Sequence, residues 1–394
     1  MTKTSALRED TLVAAMLSIR LPDDGGLRTL TQSEFRQTAD TLHKAGNTLA
    51  DILTLPNPAL ASLIPKAALL DKIVALRQRF RTIADAVEAW ADRGIWVLGE
   101  ADAGYPDKLR RRLAGARPPL LFGSGPNGSL DAGGICIVGS RNSSDAAISF
   151  TQTLAARCAQ EELTVISSDM RGVDRAAIQV ATENGGRALM ILSDKLEKTH
   201  MHPRFAKALA DQTLTMVTPF APDVGFSVGN AVRANRYQYA LSDLTVIAET
   251  RPKGGIWQGA EENRKGNWAP AFVRSGPAIP PGNRALMHLG LPPITHDQIR
   301  DASKVSQLIL DLRMRRGPQF ADRSAQQPSA DRALFRLFQT ELELIAKQPV
   351  STTDITAHFG ITPDQAAAWL AQAVESGTVR PVAGAEGLWV ATGH

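Results

Sequence analysis

Two cysteines in 394 residues, Cys136 and Cys158, form no CxxC spacing and are too few for a disulfide framework or a cysteine-ligated metal. That scarcity fits a reducing cytoplasm, with both thiols read as structural. Long apolar runs are also missing. Nothing approaches the ~18 residues that a membrane span needs. Met1–Leu12 carries Lys3, Arg8, Glu9 and Asp10 where a secretory signal would be apolar. Aromatic residues make up 5% of the chain, so few rings are available to stack on a ligand. No GxGxxG, Walker or GxSxG sequence is present, which leaves NAD binding, P-loop ATP hydrolysis and serine-hydrolase chemistry without support. His200-Met201-His202 has no cysteine or carboxylate cluster around it and reads as a solvated loop pair. Neither a metal nor a cofactor is expected.

What is present is the composition of an ordinary globular protein, 43% hydrophobic and 21% charged, long enough for two or three domains. The net charge of +4 is unevenly spread. Residues 331–394 hold four basic and seven acidic side chains, so the basic excess lies in the preceding part of the chain. A surface for polyanions is therefore expected in the body and not in the tail.

The most informative stretches are Ile135-Cys-Ile-Val-Gly-Ser-Arg141 and, about thirty residues on, Val165-Ile-Ser-Ser-Asp-Met-Arg-Gly-Val-Asp174. Each is a β-branched apolar run that stops at small residues and an arginine, as a buried parallel strand does when it opens onto an anion-binding turn. Helix N-termini after such turns supply N–H donors, and arginine supplies a fork of charge-assisted bonds. Strands predicted at Ile135–Gly139, Thr164–Ser168, Ala188–Leu192, Thr213–Thr218, Leu244–Glu249 and Ala271–Val273 alternate with helical segments such as 144–161, 174–184 and 203–211. That alternation predicts an α/β fold, a doubly wound parallel sheet whose ligands sit beyond the carboxyl ends of its strands. The site candidates are Gly139, Ser140, Arg141, Arg171, Gly172, Asp174, Arg233, Asn235 and Arg236 as an anion or nucleic-acid surface, with Glu249 as a pocket carboxylate. Asp174 and Glu249 either orient guanidinium groups or serve as a base if a substrate proton lies near. No catalytic residue is assigned.

Residues 1–95 are expected to form a helical module. Thr31-Gln-Ser-Glu34 has the spacing of a capping box, and Leu69–Trp90 carries an apolar stripe through Ile73, Leu76, Phe80, Ile83 and Val87. The central domain is placed at 96–312 and a polar linker at 313–330. Three helices and two strands in 331–394 then predict a winged helix. Its third helix, Thr362–Val374, has Asp364 and no lysine or arginine, so this acidic tail is expected to meet protein, or the body of its own chain, and not DNA. Tyr237, Tyr239 and Trp257 are candidate stacking rings, or equally core.

Ile137-Val-Gly-Ser-Arg141, Arg171-Gly-Val-Asp174, Gly185-Gly-Arg-Ala188, His202-Pro203, Asn235-Arg236 with Ala240-Leu-Ser242, Val246-Ile-Ala-Glu249 and Pro281-Gly282 occur in the order and spacing of the DNA-processing protein A family (DprA, also called Smf). Tyr105-Pro106 and Pro118-Pro-Leu-Leu-Phe122 resemble that family upstream. The resemblance covers residues 104 to about 294. Ser167-Ser168, Met170, Ile178 and Ala234 depart from its pattern, as in a divergent member. It implies an extended Rossmann-like domain with a SAM-like helical front and a winged helix. It also implies a cytoplasmic, dimeric, non-enzymatic binder of single-stranded DNA that loads the RecA recombinase in DNA uptake. Gly139, Ser140 and Arg141 would line its pocket, with Arg171, Gly172, Asn235 and Arg236 on phosphate. Two other classes stay open: a regulatory or defence-system partner such as an antitoxin, and a nucleotide sensor or phosphoribohydrolase-like enzyme.

Overall fold

The computed structural model describes residues 8–21, 26–277, 279–314 and 342–392, apart from 344, 360–362, 383–384 and 386. Two compact units divide near Arg315.

The first unit is built on nine strands: β1 (Trp96–Gly99), β2 (Leu120–Ser124), β3 (Ile135–Gly139), β4 (Val165–Ser167), β5 (Ala188–Ile191), β6 (Leu214–Thr218), β7 (Leu244–Glu249), β8 (Ala271–Ser275) and β9 (Pro293–Thr295). Their order is β1-β2-β6-β5-β4-β3-β7-β8-β9. From β6 to β9 every pairing is parallel, while β1 and β2 add an antiparallel edge. The doubly wound sheet is as expected, and the antiparallel edge is new. The central strands are buried along their whole length, because helices cover both faces, so they read as continuous apolar runs.

The helical front packs onto this sheet. Helix Glu9–Ser18 buries Thr11 and Val13–Leu17, too much of its circumference for a surface helix. Its last carbonyls are capped by the buried guanidinium of Arg79, which donates to Met16 at 2.6 Å and also to Ile19. Thr31 and Glu34 form the capping box. Trp90, from the helix Phe80–Asp92, meets Phe122 of β2 edge-on at 5.6 Å, and one apolar core runs from the front helices into the sheet. Among the described residues no helix is long and apolar enough to cross a membrane. Cys136 and Cys158 are free and buried. His200 faces the carbonyls of Leu196 and Arg93, which joins two distant segments, and His202 accepts from the Arg204 N–H at the start of its own helix.

Helix Val305–Met314 takes in Arg313 and Met314, expected in the linker, and the rest of that linker lies outside the described residues. In the second unit, β10 (Val350–Ser351), β11 (Val379–Pro381) and β12 (Leu388–Ala391) form an antiparallel sheet in the order β10-β12-β11. Helices Thr352–Phe359 and Pro363–Glu375 accompany it, around a core that includes Ile355, Leu370, Ala373 and Val379. Most of the first helix expected there, starting at Leu334, lies outside the described residues.

Candidate functional site

The chain leaves β3 for β4, β5 and β6 on one side, then returns to β7 on the other. Connections diverge at that point, and a crevice opens at the carboxyl ends of β3 and β7. Pairing between the two strands is irregular at Val138/Gly139, which turns the end of β3 into the loop that follows. The crevice holds about 340 Å³, lined by Gly139–Asn142, Asp174, Thr250, Arg251, Lys253, Gly255 and one face of helix Val228–Leu241. That face is Val228, Ala231, Val232 and Asn235, one stripe of an α-helix.

Positive charge enters the crevice in two forms. Arg141, Arg251 and Lys253 border it, and none is ion-paired among the described residues. Helix Gly255–Gly266 starts at its wall after Gly254, whose φ of +100° suits glycine alone. This N-terminus has no side-chain cap and no acidic residue in its first turn, so its N–H groups and dipole are available to an anion. Helix Asp145–Gln160 is different. Ser144 caps it, Asp145 lies in its first turn, and Glu249 accepts from the Ser144 N–H at 3.2 Å and hydroxyl at 2.5 Å. The N-terminus open to an anion is therefore the one after β7, whereas the two expected after β3 and β4 carry Asp145 and Asp174 in their first turns.

Asp174 lies beneath the crevice, 2% exposed. One carboxylate oxygen accepts from the Gly139 N–H at 3.0 Å and the other from the Ser168 hydroxyl at 2.6 Å. It ties the ends of β3 and β4 to helix Val173–Glu183. Gly172, at φ +92°, completes the contact, because a Cβ there would meet the Ser140 carbonyl oxygen at 2.3 Å. Burial pushes the Asp174 carboxyl from 3.8 up to about 6, against the lowering effect of its two hydrogen bonds and Arg141. The folded protein thus keeps this proton between those pH values while the unfolded chain releases it. Stability present below pH 3.8 is lost as the pH rises through 6. The loss amounts to about 3 kcal/mol. Asp174→Asn keeps an acceptor for Gly139 and removes the buried charge. It is expected to exceed wild-type stability at pH 7.5 by about 1–2 kcal/mol, with the gain fading toward pH 4. Asp174→Ala is expected to fall below wild type at both values, leaving the Gly139 donor unpaired. Urea denaturation at the two pH values measures this, and an asparagine variant weaker than wild type at pH 7.5 rejects it.

Of the residues singled out in the sequence, Gly139, Ser140, Arg141, Asp174 and Asn235 meet in the crevice. Gly172 packs under its first loop, and Glu249 stands behind it, 3.6 Å from the buried Arg274 guanidinium. Arg171 donates to Asn142 and lines an adjoining pocket of about 590 Å³ that shares Arg141 and Asn142. Arg233 and Arg236 are elsewhere. Arg236 pairs with Glu262 at 3.0 Å, and Arg233 donates to Asn230 and lies over Phe220 at 4.9 Å. Successive helical residues turn by ~100°, so the face that presents Asn235 presents neither Arg236, one step on, nor Arg233, two steps back. Tyr237 and Tyr239 are 6% and 0% exposed and belong to the core, while Trp257 packs partly buried against it. Three lining positions lie outside the sequence candidates: Arg251 and Lys253 in the crevice, and Phe226 in the adjoining pocket, 45% exposed with the Arg141 guanidinium 5.3 Å from its ring. The signal for the first two was available, since Arg251-Pro-Lys-Gly-Gly255 follows a strand end as the two opening motifs do. Phe226 sits in a loop with no pattern to mark it.

Residues 96–271 match the family described as DNA recombination-mediator protein A. In three dimensions the chain is similar to DNA processing protein A (DprA) from Streptococcus pneumoniae, with TM-score 0.57, 17% identity, and coverage of 76% of this chain and 99% of that one. It is also similar to DNA processing protein A from Helicobacter pylori, whose structure concerns a single-stranded DNA binding mode, with TM-score 0.46, 21% identity, and coverage of 55% and 96%. No curated protein matches the chain. The pneumococcal likeness establishes a shared fold.

Proposed function

Since residues 96–271 match the DNA recombination-mediator protein A family, we propose that this chain binds single-stranded DNA along the carboxyl edge of its sheet and serves recombination without catalysing a reaction. One observation carries the reading: the switch-point crevice combines an uncapped helix N-terminus with Arg141, Arg251 and Lys253, none of them ion-paired among the described residues. Such a surface suits phosphates in a row. Asp174 is buried beneath it and Glu249 is engaged by Ser144 and Arg274, so neither carboxylate stands ready to take a substrate proton. By the family resemblance, the bound strand passes to the RecA recombinase and the working form is a cytoplasmic homodimer; the acidic charge of the C-terminal unit suits a protein partner.

The test is fluorescence anisotropy of a labelled twenty-residue thymidine strand across a salt series. Binding is expected to weaken steeply with salt. The slope should be about −2 in log–log form, from three released counterions at ~0.7 each. Salt-independent or undetectable binding by the folded protein overturns the reading.

A further inference from the structure

The pocket beside the crevice differs from it in chemistry. It lies at the carboxyl ends of β4 and β5, with Ile191 and Leu192 in its wall, and its volume is within the range of small-ligand sites. Arg141, Arg171 and Arg175 stand on one side of its chemistry and two carboxylates, Asp169 and Asp194, on the other. Asp169 is committed, since it pairs with Arg175 at 3.3 Å and also with Arg204. Asp194 is not: no hydrogen bond or ion pair engages its carboxylate among the described residues. Phe226 supplies the aromatic surface, with Arg141 over its ring.

Asp194 and Phe226 are held in one frame. The Lys195 N–H donates to the Val224 carbonyl at 2.7 Å, which fixes the loop carrying Phe226 against the end of β5. Lys195 itself has φ +31° and ψ 52°, a left-handed conformation that a side-chain-bearing residue adopts only when its surroundings enforce it. An exposed ring with an arginine beside it, at the mouth of a phosphate-binding trough, is a stacking surface for a base. A free carboxylate in the same pocket is an acceptor alone. It therefore selects a ligand edge that offers donors. Guanine is the base whose pairing edge presents two adjacent N–H donors. Thymine presents one donor between two carbonyls that a carboxylate repels, and adenine and cytosine each place an acceptor beside their amino group.

Building on the single-strand reading above, we infer that this pocket holds a guanine base of the bound strand, stacked on Phe226 with its pairing edge on Asp194. Arg141 borders both cavities and so reaches the phosphate between the two. Burial, and then the nearby Asp169, raise the pKa of Asp194, and two incoming N–H donors would compensate both effects.

The test compares two labelled twenty-residue strands, one all thymidine and one with guanine at every fourth position, against wild type, Asp194→Asn and Phe226→Ala at one salt concentration. Wild type is expected to bind the guanine strand about tenfold more tightly. Asp194→Asn should bring the two affinities within about twofold, and Phe226→Ala should weaken both strands by about fivefold or more. Equal affinity of wild type for the two strands overturns the pocket while leaving strand binding intact. Calorimetric titration with GMP and TMP separates the two ideas. If wild type binds GMP over TMP, Asp194→Asn does not, and neither strand binds, the pocket stands and the single-strand reading falls.

Discussion

Replacing both Arg141 and Lys253 with alanine is expected to lower affinity for a twenty-residue thymidine strand by about 100-fold or more at low salt, with little change in folding stability. Each cation borders the crevice without an ion-pair partner among the described residues. A phosphate there would engage each through a charge-assisted bond. Such bonds contribute about 1.5–3 kcal/mol apiece, and two lost together give at least the stated factor. The salt slope should shrink by about 1.4, because two fewer counterions are released. Arg141 also lies over Phe226, so part of its effect is lost ring contact. Arg236→Ala is the matched comparison. Its guanidinium is held by Glu262, and its loss is expected to change affinity by no more than about twofold. If Arg236→Ala removes binding and the double variant does not, the strand runs over the other face of helix Val228–Leu241.

Glu249→Ala should cost about 3–5 kcal/mol of stability, the effect of removing one partner from a buried ion pair. The Arg274 side chain is 5% exposed, and its only other bond among the described residues runs from Nε to the Ala248 carbonyl. Burial already lowers the Arg274 pKa while Glu249 raises it, so the guanidinium depends on that carboxylate. The same substitution strips an acceptor from the Ser144 N–H and hydroxyl at the start of helix Asp145–Gln160. Glu249→Gln keeps a carbonyl oxygen for Ser144 and is expected to lose about half as much. Urea denaturation checks the order alanine, glutamine, wild type. A catalytic Glu249 would give the opposite picture, with both variants folded as firmly as wild type.

How far the sequence could be read depended on where each signal was stored. β3 and β7 were predicted to the residue because each is buried on both faces and stops at a charged or small residue. β1 and β9 escaped notice. They are four and three residues long at the rims of the sheet, and their pairing partners, not their own patterns, make them strands. The site divides along the same line. Gly139, Ser140 and Arg141 sit at a strand end, where a linear motif and a spatial position coincide. Arg233, Asn235 and Arg236 form one motif in sequence but three directions in space, which a helix dictates and a motif hides. Lys253 and Phe226 lie in loops, whose placement is decided by the scaffold around them.

The continuous core between the front helices and the sheet has a thermodynamic corollary. Trp90 against Phe122, and the salt-bridged cluster of Arg36, Glu100 and Arg117, seat residues of the front against the edge strands of a single compact unit. A scaffold joined in this way has little freedom left to surrender when a flexible polymer settles on it. The entropy of association then falls almost wholly on the polymer, so affinity should respond to the stiffness of the strand more than to anything that loosens the protein.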